Sequence, residues 1–430
     1  MKQQGRYLTQ EFGDRGSILT TWMISYKQVV SESESESEGA ANLLKLWGFL
    51  DHKDLWYGLL ASVSDFNEDD WVPKWLLALA ENEVKFDGAI SLLSRYSLID
   101  VADQQTGSHA IHAVLHAWCH HLSIGDEHKR FLLLATMVIA QAVPEESETA
   151  YWMKRRRLLP HGMYVYTKMI ISQGQHNLES HKKRQVPAWA NHSLGVLFAS
   201  QTRLVEAETM YTRALAGHEK AFGAEHTETL MTVNNLGTLY SDQGKLAEAE
   251  AMSTRALAGY EKAFGVEHAD TLGTVNNLGL LYSDQGKLAE AEAMYNRALA
   301  GYEKALGAEH ADTLMTVNNL GALYSDQGKL VEAEAMYNRA LAGYEKALGA
   351  EHTNTLRTVN NLGRLYLSQG RLAEAEVAFT RALAGYEKAL GAEHTDTLRT
   401  VNNLGALYSD QGKLVEAEAM YNRALAGYEK

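Results

Sequence analysis

The dipeptide Leu-Gly stands at positions 194, 236, 278, 320, 362 and 404, at a constant interval of 42 residues. A fixed period of this length marks a solenoid, in which one supersecondary unit is stacked on copies of itself. Leu278 to Asn319 and Leu320 to Asn361 differ only at positions 280, 289, 311, 312 and 315, leaving 37 of 42 residues identical. The array is recently duplicated or kept homogeneous. Each unit reads as two helices. In the third, Val275, Leu278, Gly279 and Tyr282 fall at i, i+3, i+4 and i+7, one apolar helical face. Asp270 and Thr271 are placed to cap its start, and Asp284-Gln285-Gly286-Lys287 makes the turn. Leu288, Ala291, Tyr295, Ala298, Leu299, Tyr302 and Leu306 then keep helical register over about 28 Å, at 1.5 Å per residue. Gly307 can take the left-handed conformation that ends a helix.

Small residues permit close pairing. Gly279, Ala291 and Ala298 let two helices approach, and Tyr282 and Tyr295 fill the space around them. In order and spacing these positions, with Leu278, resemble the tetratricopeptide repeat. The unit is longer than that family's roughly 34 residues and lacks its proline after the second helix. With Asn-Asn-Leu-Gly, Glu-Ala-Glu, Arg-Ala-Leu and Leu-Gly-x-x-His-x-x-Thr-Leu, it is similar to the kinesin light chain type. The resemblance covers about 187–430 in six repeats. The first is degenerate, with Asn191 in place of Val and Phe198 in place of Tyr.

The resemblance implies that the first helices line a concave groove and that asparagines there hold extended peptides. The matching pairs are Asn234/Asn235, Asn276/Asn277, Asn318/Asn319, Asn360/Asn361 and Asn402/Asn403, so Asn235, Asn277, Asn319, Asn361 and Asn403 are candidate ligand contacts. An amide donates and accepts, so it suits a peptide backbone of any sequence. The alternative is that one Asn of each pair ties neighbouring helices together. Against a near-constant background the variable groove positions carry most information. One reads Met231, Gly273, Met315, Arg357, Arg399 along the array; another reads Thr238, Leu280, Ala322, Arg364, Ala406. Asp242, Asp284 and Asp326 recur, then give way to Ser368. The groove thus passes from apolar and acidic to basic. Arg357, Arg364 and Arg399 offer forked guanidinium groups to carboxylates or a phosphate. The expected partner is a protein or peptide with an apolar segment followed by an acidic one; neutral drift between young repeats is the alternative.

Charge excludes some functions. The net charge is −14, with 21 basic and 31 acidic residues from 187 onward and 19 and 23 before it. No nucleic-acid partner is expected, because neither half has a broad basic footprint. Lys154-Arg155-Arg156-Arg157 and Lys182-Lys183-Arg184 read as solvated helix face or linker. The longest apolar run, Phe131 to Val143, falls short of the roughly 20 residues a bilayer needs. The first residues lack the apolar core of a signal peptide, so a cytoplasmic protein without membrane contact is expected. One cysteine, Cys119, excludes an intramolecular disulfide. All four prolines lie at or before Pro187, so the proline-free remainder coincides with the array.

Ser31 to Glu38 repeats Ser-Glu four times and reads as a disordered linker after a helical leader, 1–39. Residues 40–125 read as helices, around Leu43 to Leu50, Leu55 to Leu60 and Ala89 to Tyr96, then a β-hairpin and another helix from Val114 to Leu122. The hairpin is Ser97 to Val101, a polar turn, and Ser108 to His112. Residues 126–186 make a helical connector to the array at 187–430. The motifs NLLKLWGFLDHKDLWYGLL, AISLLSRYSLID and IHAVLHAWCHHL resemble the winged-helix segment of fungal NLR-like signalling NTPases. There a nucleotide-binding domain precedes this segment and tetratricopeptide repeats follow it. That resemblance implies a histidine near the β-phosphate of ADP, and His112 matches it, though the Met and Asp beside that histidine in the family are absent. No Gly-x-x-x-x-Gly-Lys-Ser/Thr loop is present to cradle phosphates. A nucleotide-binding domain would therefore have to lie upstream or act in trans.

His112, His116 and His120 are spaced i, i+4, i+8, but His112 ends the expected strand and no zincin motif is formed. Structural or surface histidines are the expectation, with no metal or other cofactor. His226, His268, His310, His352 and His394 recur in the inter-unit loop, where a loop-closing hydrogen bond explains the period. The expected fold is mainly α: a six-repeat α-solenoid preceded by a winged-helix-like domain with a small β-hairpin and a helical connector. The expected function is non-enzymatic protein interaction, as the sensor part of an NLR-like protein. A free-standing kinesin-light-chain-like cargo or scaffold adaptor is the second reading, and a metal-dependent enzyme a remote third. Leu425 and Tyr428 on the last packing face, with no helix to follow, give the expectation of a missing cap.

Overall fold

A computed structural model describes residues 16–32, 34–65, 72–145, 148, 151–174 and 185–428. The chain divides into two compact units, Met1–Ala221 and Phe222–Lys430. The basic cluster Lys182-Lys183-Arg184 and the first 15 residues lie outside the described residues.

The first unit opens with α1 (Gly16–Ser31) and α2 (Glu34–Trp47). The expected disordered linker is therefore helical from Glu34 on. Ser37 is buried by the core that α2 joins. Short helices α3 (Gly58–Ala61) and α4 (Lys74–Ala80) and the longer α5 (Glu83–Arg95) follow. Around them Leu43, Leu44, Trp47, Phe49 and Leu50 are fully buried. The helix expected over Leu55 to Leu60 starts only at Gly58, because Leu55 exchanges backbone hydrogen bonds with His109 at 2.9 and 2.7 Å. Strands β1 (Asp100–Asp103) and β2 (Ser108–Ala110) form the expected antiparallel hairpin, pairing Asp100 with Ala110 and Val101 with His109. Next come α6 (Ala113–Cys119), a 3-10 turn over His120–Leu122, α7 (Asp126–Ala142) and α8 (Tyr151–Gly174). The degenerate first repeat, α9 (Ala188–Ala199) and α10 (Leu204–Phe222), falls in this unit up to Ala221. Asn191, buried there, donates to Pro187 O at 3.0 Å instead of packing as its Val counterparts do.

The second unit is five helix pairs: α11 (Thr227–Asp242) with α12 (Leu246–Phe264), α13 (Ala269–Asp284) with α14 (Leu288–Ala305), α15 (Ala311–Asp326) with α16 (Leu330–Leu348), α17 (Thr353–Ser368) with α18 (Leu372–Leu390), and α19 (Thr395–Asp410) with α20 (Leu414–Tyr428). Within a pair the small residues are obligatory. A Cβ on Gly279 would lie 2.8 Å from the Tyr295 ring, and one on Gly301 would lie 2.4 Å from Leu272. Leu272, Val275, Ala298 and Tyr302 form the core of the third repeat. Ala291 and Tyr295 then pack on Leu320 and Leu323 of the fourth, so each second helix is covered by the next repeat. The helix starts differ from expectation. His268, not Asp270 or Thr271, is the N-cap: its Nδ1 accepts from Asp270 N at 3.3 Å. Thr271 instead reaches back to Gly265 O at 2.8 Å, tying the loop shut. His226, His310, His352 and His394 cap their helices in the same way.

Candidate functional site

Successive first helices of the second unit touch one another, α11 to α13, α13 to α15, α15 to α17 and α17 to α19. The second helices make no contact of comparable extent with one another among the described residues. Closer spacing on the first-helix side curves a solenoid toward that side and makes it the concave one.

The asparagine pairs divide their labour along this surface. Asn276, Asn318 and Asn360 are buried. Each accepts a hydrogen bond from the second asparagine of the next repeat: Asn319 Nδ2 to Asn276 Oδ1 at 3.3 Å, Asn361 to Asn318 at 3.3 Å, and Asn403 to Asn360 at 3.1 Å. The result is a ladder of side-chain amides across four repeats. A buried amide left unpaired costs about 1–3 kcal/mol, so the ladder fixes how repeats stack. Asn319, Asn361 and Asn403 remain half-exposed, with amide capacity beyond their rung. The rung that would join Asn277 to Asn234 is not made, and Asn234 Oδ1 is buried without a hydrogen-bond partner. Asn235 is also half-exposed.

The three arginines stand on the same side of their helices but in different states. Arg399 forms an ion pair with Asp396 one turn back, at 2.6 Å. Arg357 stands beside the Tyr344 hydroxyl, opposing the rise that burial gives that phenol, and its Nε is buried without a hydrogen bond. Arg364 is exposed, with no ion pair or hydrogen bond among the described residues. Opposite in sign is the column Asp242, Asp284, Asp326. Burial raises the pKa of Asp242 and Asp284, and each next aspartate in the column raises it further. The Ser241 hydroxyl works against this at Asp284.

Sequence periodicity did not reveal where the other cations go. Three ladders of ion pairs link each repeat to the one before it. Lys287 pairs with Glu250 at 3.0 Å, Lys329 with Glu292 at 3.2 Å and Arg371 with Glu334 at 2.8 Å. Arg297 pairs with Glu261, Arg339 with Glu303, and Arg381 with Glu345. Lys262 pairs with Glu225, Lys304 with Glu267, Lys346 with Glu309 and Lys388 with Glu351. Their partners lie 36 or 37 residues back, a separation set by stacking and invisible to a helical wheel.

In the first unit the histidines serve the core. His116 Nε2 donates to Leu50 O at 2.7 Å, and His120 Nε2 pairs with the Tyr164 hydroxyl at 2.5 Å. Burial depresses both, His120 to about 3. His112 is exposed and caps α6, its Nδ1 accepting from Val114 N at 3.3 Å. No group of three or more metal-ligating side chains is assembled among the described residues. The basic run of α8 is partly structural. Arg155 is buried on Pro144 O, and Arg157 holds Asp54 with two bonds of 2.7 and 2.5 Å. No helix among the described residues is long and apolar enough to cross a membrane.

The family model described as "Tetratricopeptide repeat" matches residues 187–262, 270–346, 315–388 and 354–430, more than half of the sequence. The chain belongs to the tetratricopeptide repeat family. No curated protein matches it. Among solved structures, BtubC (BKLC) from P. vanneervenii is 24% identical over 53% of this chain and 91% of that one, with a TM-score of 0.43. A Podosopora anserina putative kinesin light chain with nearly identical TPR-like repeats is 26% identical over 47% and 97%, TM-score 0.39. The Rap conjugation gene regulator of plasmid pLS20, in complex with the Phr* peptide, is 18% identical over 83% and 87%, TM-score 0.47. Tetratricopeptide solenoids present extended concave surfaces of the kind that serve as protein-binding scaffolds.

Proposed function

We propose that the solenoid holds an extended segment of a partner protein, or a peptide, against its first helices, and that the chain catalyses no reaction. The partner segment is apolar where it meets the early repeats and acidic where it meets Arg357, Arg364 and Arg399. The observation that carries this reading is Arg364: an exposed guanidinium with no ion pair or hydrogen bond among the described residues, in an array that pairs so many of its cations from one repeat to the next. Half-exposed asparagines beside it supply backbone-directed amides. The test uses a synthetic dodecapeptide with an apolar half and a glutamate-rich half, and its lysine-rich counterpart. The acidic peptide should bind more tightly and lose affinity at least tenfold when all three arginines become Glu. Equal binding of both peptides, or unchanged affinity in the triple variant, would overturn the reading.

The first unit favours one cellular setting, the cytoplasmic sensor part of an NLR-like signalling protein, with residues 40–125 as its winged-helix-like segment. Its support is the order of parts: helices, a hairpin tied back to Leu55, a helix capped by His112, two connector helices and then repeats. In this setting His112 would face a nucleotide-binding domain supplied upstream or in trans. A transcript encoding a P-loop upstream of Met1 supports it; a transcript starting at Met1 favours the free-standing adaptor.

A further inference from the structure

Gly273 is the one glycine of the second unit that neither its conformation nor its packing requires. Every other glycine there has a positive φ or stands where a Cβ would come within 3.0 Å of a neighbouring atom. A Cβ on Gly273 would meet only the Tyr302 hydroxyl, at 3.4 Å. It lies inside α13, where glycine is more costly than any residue but proline. The same groove position carries Met231 in the repeat before and Met315 in the repeat after. The missing side chain therefore leaves a notch in the first-helix surface. Met231 and Met315 stand at the same position of the two neighbouring first helices, and Leu280, 49% exposed, lies two turns along α13. The floor of the notch is the Tyr302 hydroxyl. A second, independent feature falls at the same place. The amide ladder is closed at the three rungs beyond it and open here, with Asn234 Oδ1 buried and unpaired opposite Asn277.

We infer that this notch anchors the bound peptide: one bulky apolar side chain fills the space above Gly273, and the half-exposed Asn277, which makes no rung to Asn234, bonds the peptide backbone. This deepens the groove reading and rests on it. The arginines set the register. Arg357 and Arg399 occupy the Gly273 position two and three repeats further on. Packed helices lie about 10 Å apart, so two repeats span roughly 20 Å, about six residues of extended chain. The partner therefore carries its first acidic residue about six positions from its apolar anchor.

The test pans a random dodecapeptide library on the full chain and measures the recovered peptides against variants. Recovered peptides should share a bulky apolar residue about six positions from a carboxylate. Gly273→Met should lower their affinity at least tenfold without lowering the thermal midpoint, because methionine is the better helix former. Gly273→Ala, which adds only the Cβ, should give an intermediate loss and keeps the test valid if the larger residue disturbs the fold. Asn277→Ala should weaken the same peptides. Peptides that tolerate the Gly273 variants but fail on the triple arginine variant overturn the notch and leave the groove reading standing. Peptides indifferent to both sets, or no enrichment at all, overturn both.

Discussion

The two units solve the same problem, burying helices, with opposite economies. In the second unit one solution recurs: glycine against tyrosine within three of the five repeats, with Ser253 and Phe379 in the tyrosine's place in the other two, alanine and an aromatic ring against leucines of the next, and a histidine N-cap at all five starts. In the first unit nearly every contact occurs once, as with Trp47 edge-on to Phe86 at 6.2 Å and His120 on Tyr164. A repeated interface makes stability local, because each repeat touches only its neighbours. A core of unique contacts makes it collective.

The largest test of that contrast is a matched pair of core truncations. Trp47 and Tyr337 are both buried, and replacing either with Ala should cost about 3–5 kcal/mol. Trp47→Ala should expose the helices α1 to α7 together, whereas Tyr337→Ala should leave protection in α11 to α14 near its original level. Hydrogen exchange followed by mass spectrometry separates these outcomes. Uniform loss of protection across the second unit after Tyr337→Ala would break the comparison.

Acid should sharpen it. Burial depresses His109, His116, His128 and His161, and takes His120 to about 3 and His192 to about 4. All six lie in the first unit. The unfolded chain takes up these protons near pH 6.5 and the folded one does not. Their stabilising effect is therefore present above about pH 6.5 and is lost as pH falls, through about 3 for His120. In the second unit the depressed groups include Glu250 and Glu292, held down by hydrogen bonds led by Lys287 and Gln327. Their contribution is lost only below about 4.5. All eight tryptophans lie at or before Trp189, so their fluorescence reports the first unit alone. It should change between pH 6.5 and 4.5 while the helical circular dichroism of the array persists. Simultaneous loss of both signals would contradict the assignment.

How much of this was legible beforehand follows the same division. The helix pairs, their turns and the obligatory glycines were readable because the period states them repeatedly. The hairpin was readable from its turn residues. The asparagine ties between helices were one of two readings the sequence left open, and the ion-pair ladders were not readable, because they join residues 36 or 37 apart and depend on how repeats stack. Asp270 and Thr271 looked like caps because their side chains favour that role; His268 occupies it, one residue before the helix. The Ser-Glu run looked disordered by composition, and the core that α2 joins overrides that local preference. Helical spacing puts the groove candidates on one face of each first helix, while the rungs that Asn319, Asn361 and Asn403 make depend on how the repeats stack.

Salt should act on the second unit more than on the first. Exposed pairs are each worth about 0.2–1 kcal/mol and are screened at high ionic strength. Arg381→Ala removes one rung to Glu345 and should cost less than 1 kcal/mol. Raising salt should lower the midpoint of the array's unfolding and diminish the effect of that substitution. An effect of Arg381→Ala that is independent of salt would mean that its aliphatic stem, not its charge, supports the stack.

The smallest effect concerns the column Asp242, Asp284, Asp326, where like charges stack from repeat to repeat. Burial and Asp326 beyond it raise the pKa of Asp284, and the Ser241 hydroxyl works the other way. The folded pKa of Asp284 is raised, so the sign is opposite to that of the glutamates: ionisation above that pKa works against folding. Asp284→Asn removes the charge, keeps the shape and can still accept from Ser241. Solvent screening discounts the gain, because the side chain is largely exposed. A rise of about 1 °C or less in the array's midpoint is expected, the scale of a few tenths of a kcal/mol in a unit of this size. The rise should vanish when Asp242 and Asp326 are also Asn, since the repulsion it relieves is then gone. A fall instead would mean that the charge-assisted bond from Ser241 outweighs repulsion along the column. The aspartates would then belong with the ladders that hold the repeats in register, and not with the surface left open to a partner.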